Sequence, residues 1–143
     1  MLLKFKKNIL ENFPKINFQK TLLAVSGGID SMVLADLFMK SNLNFAIVHC
    51  NFKLRNTESD ADQNLVKKYA LKNSVTFYTT SFDTSAFAKD FKLSTQLAAR
   101  KLRYDYFYEI IQKENFDFVA TGHHLDDSIE TFFINLSRGT GID

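Results

Sequence analysis

The sequence predicts an α/β domain built on a doubly wound parallel sheet with helices on both faces. Short apolar runs recur along it at residues 21–25 (TLLAV), 45–49 (FAIVH), 75–79 (VTFYT) and 116–120 (FDFVA). Each has the length and the aliphatic or aromatic content of a buried strand. Helical patterns separate the runs, and strand alternating with helix is the mark of a parallel sheet covered on both sides. The unusual polar and glycine residues fall just after the first, second and fourth runs. In such sheets that is the carboxyl rim, where ligands bind.

The elements follow in order. Residues 4–12 predict a short helix ended at or before Phe13, because the only proline, Pro14, disfavours helical geometry in the residue before it. After the first strand, residues 26–30 form a turn. A helix over residues 31–39 then buries Val33, Leu34, Leu37 and Phe38. Thr57 is placed to cap the next helix, with Glu58 and Asp60 favourable in its first turn and Ala61, Leu65, Tyr69 and Ala70 as its apolar stripe. Ser94 or Thr95 begins the longest helix, which runs to about Asn115. A last helix opens at Asp126 and carries Ile129, Phe132, Phe133 and Leu136 at helical spacing.

Composition narrows the function classes. With 45% hydrophobic residues in 143 there is material for one real core, and a formal net charge of +2 neither demands nor forbids a nucleic-acid partner. The single cysteine, Cys50, excludes an intrachain disulfide and a cysteine zinc cage. The first residues mix Lys4, Lys6 and Lys7 with apolar side chains and lack the continuous apolar stretch of a signal peptide. No run approaches a membrane span. The expectation is a soluble, cytoplasmic protein with no membrane partner.

The most informative segment is Ser26-Gly27-Gly28-Ile29-Asp30-Ser31. Two glycines let the backbone turn sharply and approach a ligand. The helix that follows offers unpaired N–H groups to an anion, and the hydroxyls of Ser26 and Ser31 add donors. A carboxylate beside a phosphate is repulsive unless a cation lies between them, so Asp30 points to Mg²⁺. The loop lacks the lysine of G-x-x-x-x-G-K-[ST] and does not fit G-x-G-x-x-G. A plain tight turn with a helix cap is the alternative. The position of the whole hexad, after a strand and before a helix, favours phosphate.

Three further segments accompany it. After the second run, Lys53 and Arg55 either contact phosphate or belong to a solvated loop, and His49 reads more readily as an ordinary satisfied histidine. Early in the long helix, Arg100 and Arg103 lie three apart on one face, where an anion would relieve their repulsion. Taken alone they also suit a surface helix, and Tyr104, Tyr106 and Phe107 read as packing residues. After the fourth run, Thr121-Gly122-His123-His124-Leu125-Asp126-Asp127 brings histidines and carboxylates to the same rim. The alternative there is a helix cap with surface histidines. Mg²⁺ needs only one or two carboxylates, whereas zinc wants more firm ligands than this segment clearly supplies.

The S-G-G-x-D-S loop resembles that of the PP-loop ATP pyrophosphatases, which cleave ATP to AMP and pyrophosphate while activating an oxygen of a second substrate. The V-H-x-N-x-x-L-R stretch, the A-A-R-x-x-R-Y stretch, and G-H-H-x-D-D followed by E-T-x-x-x-N-L-x-R-G-T-G over residues 122–141 narrow this to the tRNA(Ile)-lysidine synthases. The resemblance implies ATP contacts by Ser26, Gly27, Gly28, Ile29, Asp30 and Ser31, and Mg²⁺ contact by Asp30 and Asp127. It implies phosphate or transition-state contact by Arg100 or Arg103, with His123 in the pocket. The implied partners are free L-lysine and an isoleucine tRNA with a wobble cytidine. It further implies that residues 1–143 are an incomplete catalytic domain, truncated at the carboxyl end, with residues 1–20 as an amino-terminal extension. A PP-loop tRNA thiolase, an amidating ligase and a non-catalytic ATP-binding fragment are the rival readings. A thiolase uses cysteines that this sequence does not carry beyond Cys50.

Overall fold

The computed structural model describes residues 1–54, 56–124 and 132–138. Its elements run α1 (Leu2–Asn12), a 3₁₀ turn (Ile16–Phe18), β1 (Thr21–Ala24), α2 (Ile29–Lys40), β2 (Phe45–Asn51), α3 (Asn56–Lys72) and β3 (Phe77–Ser81). They continue with α4 (Thr84–Asp90), α5 (Thr95–Glu114), β4 (Phe118–His124) and β5 (Phe132–Arg138). The sheet order is β3-β2-β1-β4-β5. The first four strands are mutually parallel, and β5 pairs antiparallel with β4. From β1 the chain steps outward to β2 and β3, then returns across β1 to β4. The order therefore reverses between β1 and β4, and a crevice opens there at the carboxyl ends.

Alternation along the central strands feeds two cores, because successive side chains leave opposite faces of a strand. Leu23, Val25, Ile47 and Ala120 pack with α1, α2 and α3 through Phe5, Ile9, Leu34, Phe38, Val66 and Ala70. Leu22, Ala46, Val48 and Val119 face the other way, against Phe107, Ile110 and Ile111 of α5. Phe38 is wholly buried, with its ring 5.6 Å from that of Phe5 and 5.5 Å from that of Phe45.

The amino end of β1 is fastened separately. The Lys20 backbone N–H donates to the Asp117 carboxylate at 2.8 Å, its ammonium donates to the Glu114 carbonyl at 2.8 Å, and that same ammonium lies 4.2 Å from the Phe116 ring centre.

Several boundaries differ from the sequence reading, two of them for one shared reason. The third and fourth apolar runs begin two residues before their strands. Val75 N–H returns to Ala70 O at 2.9 Å and Phe116 N–H to Ile111 O at 3.2 Å, so the head of each run closes the preceding helix. The helix after the glycine loop starts at Ile29, so Asp30 belongs to its first turn. The third helix starts at Asn56, which puts Thr57 inside it and not at its cap. Its buried side runs through Val66 and Ala70 with Tyr69 half-buried, while Ala61 and Leu65 are exposed. Helix α4 was not anticipated; its cap is Asp83, whose carboxylate accepts from Ala86 N–H at 3.1 Å.

The expected last helix is corrected over its second half. Phe132, Phe133 and Leu136 lie in β5, beside Ile134. A short run rich in aromatic and β-branched residues satisfies either period, and pairing with β4 selects the strand. Asp126, Asp127 and Ile129 lie outside the described residues, as does Arg55.

Replacing Phe38 by Ala empties the contact of three rings. It is expected to lower unfolding stability by about 3–5 kcal/mol, measured as a fall in the urea midpoint.

Candidate functional site

The loop between β1 and α2 is held by its own hydroxyls. Ser31 Oγ accepts from Gly27 N–H at 3.1 Å and donates to Gly28 O at 2.9 Å. Ser26 Oγ accepts from Gly28 N–H at 3.3 Å and lies 3.2 Å from Ser31 Oγ. Gly28 is the N-cap residue of α2, and Ile29, Asp30 and Ser31 form its first turn. Those first N–H groups have no carbonyl one turn back to receive them, so they favour an anion at this end of the helix. Ser26, Gly28, Ile29 and Asp30 are exposed, whereas Gly27 is buried.

Gly27 is required by geometry. Its φ is +99°, and a side-chain carbon built there would come 2.8 Å from Cβ of Asp62 on α3. Both the backbone conformation and the space exclude other residues. Asp62 gave no signal in the sequence, since it is one carboxylate among several on a polar helix.

Beneath the loop lies a cavity of about 190 Å³, lined among others by Val25, Ser26, Ser31, Cys50, Arg103 and Thr121. The two arginines diverge. Arg103 is half-buried, lines the cavity and sets its guanidinium 5.4 Å from the Phe52 ring centre. Arg100 is exposed, rests 4.8 Å from the Tyr104 ring centre, and is not part of the lining. Burial pushes the Cys50 thiol up to about 12, with the positive charge of Arg103 pulling the other way. Cys50 thus brings no negative charge to the cavity, and Arg103 is the charged side chain in its lining.

The stretch after β2 is built inward. Asn51 is almost wholly buried; its amide donates to Asp60 at 2.9 Å and to Gln63 at 2.7 Å, and its carbonyl oxygen accepts from Lys53 N–H at 3.0 Å. Lys53 pairs with Asp60 at 2.6 Å, which occupies one of the two cations that the sequence offered for phosphate. Those hydrogen bonds hold the Asp60 carboxyl below its ordinary value. Thr84 Oγ1 donates to Phe52 O at 2.8 Å, and Phe52 stacks on Phe82 at 5.6 Å.

His49 is buried and bonded as expected of a satisfied histidine, and its partner lies at the root of the loop. Nδ1 lies 2.8 Å from Val25 O. A carbonyl only accepts, so Nδ1 carries the proton. Burial lowers the pKa of His49, opposed by the bond to Val25 and by the charge of Asp62.

Of the predicted site residues, then, the structure brings Ser26, Ser31 and Arg103 around one cavity, with Asp30 in the helix turn above it. Arg100 stands apart. His123 lies in β4 at the same rim, and Asp127 falls outside the described residues. Cys50 and Phe52 were missed as cavity residues because neither type, met singly after a strand, signals a ligand.

Two outcomes follow. Gly27→Ala is expected to cost roughly 1–3 kcal/mol of stability through the strained backbone and the crowding at Asp62, read by chemical denaturation. For His49 the folded pKa lies below the unfolded value near 6.5. The unfolded chain therefore takes up its proton first as pH falls. The contribution of His49 is complete above about pH 6.5 and is lost as the pH drops through the depressed folded value. The stability difference between pH 7.5 and 5.5 is expected to shrink in His49→Asn.

Comparison with known proteins agrees with this geometry. A PP-loop domain model matches residues 1–143. The chain is 40% identical to a tRNA(Ile)-lysidine synthase of Chlorobaculum tepidum, covering 97% of this chain and 44% of that protein. It is 39% identical to the tRNA(Ile)-lysidine synthase of Bacteroides thetaiotaomicron, covering 86% and 29%. The chain thus spans less than half the length of these relatives. Among solved structures, an NH₃-dependent NAD synthetase from Campylobacter jejuni shares the fold with a TM-score of 0.64 at 20% identity, covering 82% of this chain and 53% of that one. Among the described residues no helix is long and apolar enough to cross a membrane. With the glycine loop at the switch point of its parallel sheet, the chain belongs to the PP-loop domain family.

Proposed function

We propose that this domain binds ATP with Mg²⁺ and supplies the adenylating site of a tRNA(Ile)-lysidine synthase working in the cytoplasm. The observation that carries the reading is the loop of Gly27 and Gly28 opening α2 beside a cavity walled by Arg103. In this reading the triphosphate lies along residues 26–31, trading the hydroxyl contacts within the loop for phosphate oxygens. The cavity is smaller than a typical whole-ligand site and suits one aromatic ring.

Asp30, an exposed carboxylate in the first turn of α2, suits a hard cation beside phosphate. Among the described residues no three potential ligands cluster, and a hard cation held mainly by phosphate needs only one or two carboxylates. Asp30 and Asp127 would hold it, and its charge would neutralise the phosphates.

The wobble cytidine of an isoleucine tRNA presents the carbonyl oxygen at C2. That oxygen attacks the α-phosphorus of ATP, forming the adenylated base and releasing pyrophosphate. The amine of free lysine then adds at C2, loses a proton and expels AMP, leaving lysidine. Arg103 faces the charge that builds on the departing pyrophosphate, and fixed donors at such a point lower the barrier without reorganisation. Arg100, outside the cavity lining, is left as the second candidate for phosphate contact, and His123 on β4 as a pocket residue. A sulfur-transfer reading is disfavoured by Cys50, since a persulfide carrier must ionise readily and this thiol is held up to about 12.

The test is nucleotide binding followed by turnover. This chain is expected to bind ATP more tightly with Mg²⁺ than without. Arg103→Ala is expected to weaken binding about 10–100-fold, the range for a lost charged hydrogen bond, with Arg100→Ala far milder. Asp30→Ala is expected to remove the Mg²⁺ dependence, and in a complete enzyme to abolish pyrophosphate release dependent on lysine and tRNA. Equal binding by Arg103→Ala, or undiminished Mg²⁺ dependence in Asp30→Ala, contradicts these roles.

A further inference from the structure

We propose that His49 and Asp62 are positioning residues that clamp the glycine loop from two sides, and that the unit of β2 and α3 sets the geometry in which the loop receives its anion. The clamp deepens the ATP reading above and rests on it only for the identity of the ligand.

Three observations converge. Val25 continues the ladder by donating its N–H to Val48 O at 3.0 Å, and its carbonyl leaves the sheet one residue before Ser26. That carbonyl is taken by His49 Nδ1 at 2.8 Å, from the neighbouring strand. The bond fixes the peptide plane from which the loop departs, and leaving a buried carbonyl unpaired is costly.

On its other side, Gly27 faces Asp62 of α3 across the space that a side chain would fill. The Asp62 Cβ and Cγ lie 2.8 and 3.2 Å from where a side-chain carbon of Gly27 would stand. Asp62 occupies the space that a side chain at position 27 would need, so only glycine holds φ +99° beside it.

The third observation is what holds Asp62 there. Asn51, the last residue of β2, is 1% exposed and donates to both Asp60 and Gln63 on α3, one on each flank of Asp62. A buried amide satisfied at these points fixes the approach of α3 to the strand end, and so the reach of Asp62 onto the loop. Neither His49 nor Asp62 is part of the cavity lining; each acts through the backbone of residues 25–27.

Amide hydrogen exchange on this chain, with no nucleotide present, tests the clamp. Asn places a donor where imidazole Nδ1 stands, whereas Leu fills similar space without one. His49→Leu and Asp62→Gly, which removes the Cβ nearest the loop, are expected to speed exchange at Gly27 and Gly28 at least tenfold, with Leu22 and Leu23 in β1 unchanged. His49→Asn is expected to remain within about twofold of the wild type. A ¹⁵N spectrum of the wild-type imidazole is expected to show the proton on Nδ1. Binding of ATP with Mg²⁺ should weaken in parallel with loop exchange. Unchanged loop exchange in Asp62→Gly, or damage from His49→Asn equal to that from His49→Leu, overturns the clamp. Absence of ATP binding by the wild type, with the exchange pattern as expected, removes the ATP reading and leaves the clamp in place.

Discussion

β1 is hydrogen-bonded on both sides, to β2 and to β4, and this confinement governs the rest of the molecule. A central parallel strand has no free edge, so the chain leaving it must rise over the sheet rim and turn back into a helix. Only a sharp turn accomplishes that within the space between two neighbouring strands. Gly27 supplies the turn with a backbone angle that other residues avoid, and α2 begins one residue after Gly28. The anion-receptive end of a helix is thereby set at the point where the strand order reverses. The cavity, the cation at its wall and the histidine at its root are all arranged around that exit.

Much of this was legible in the residues. The four apolar runs located the parallel strands, and burial on both faces leaves β1 and β2 without polar alternation. The hexad after the first run marked the rim, since two glycines followed by a helix have few structural uses. The long helix was bounded correctly by Ser94, whose hydroxyl accepts from Leu97 N–H at 3.2 Å, and by Asn115 in the left-handed region. Each of those signals is local, and local chemistry decides it.

What the residues concealed depends on distant partners. Arg100 and Arg103 look equivalent along the helix, yet only Arg103 meets Phe52 and the cavity. Lys53 looks available for phosphate until α3 returns Asp60 to its ammonium. Asp62 has no signature at all, because its meaning lies in contact with a glycine 35 positions earlier. The strand at residues 132–138 escaped for a related reason. Its apolar residues obey both the helical and the extended period, and pairing across to β4 decides between them.

The fastening of Lys20 gives β1 two ends of different character. Below, an ammonium, a carboxylate and an aromatic ring tie the strand to the turn between α5 and β4. Above, the exit loop is bound chiefly to itself and to the tip of β2. An anchor at one end and a working edge at the other let the same four residues serve durability and recognition without competing. Drift in what the upper edge accepts leaves the lower attachment intact, so such a scaffold tolerates a change of trade while keeping its frame.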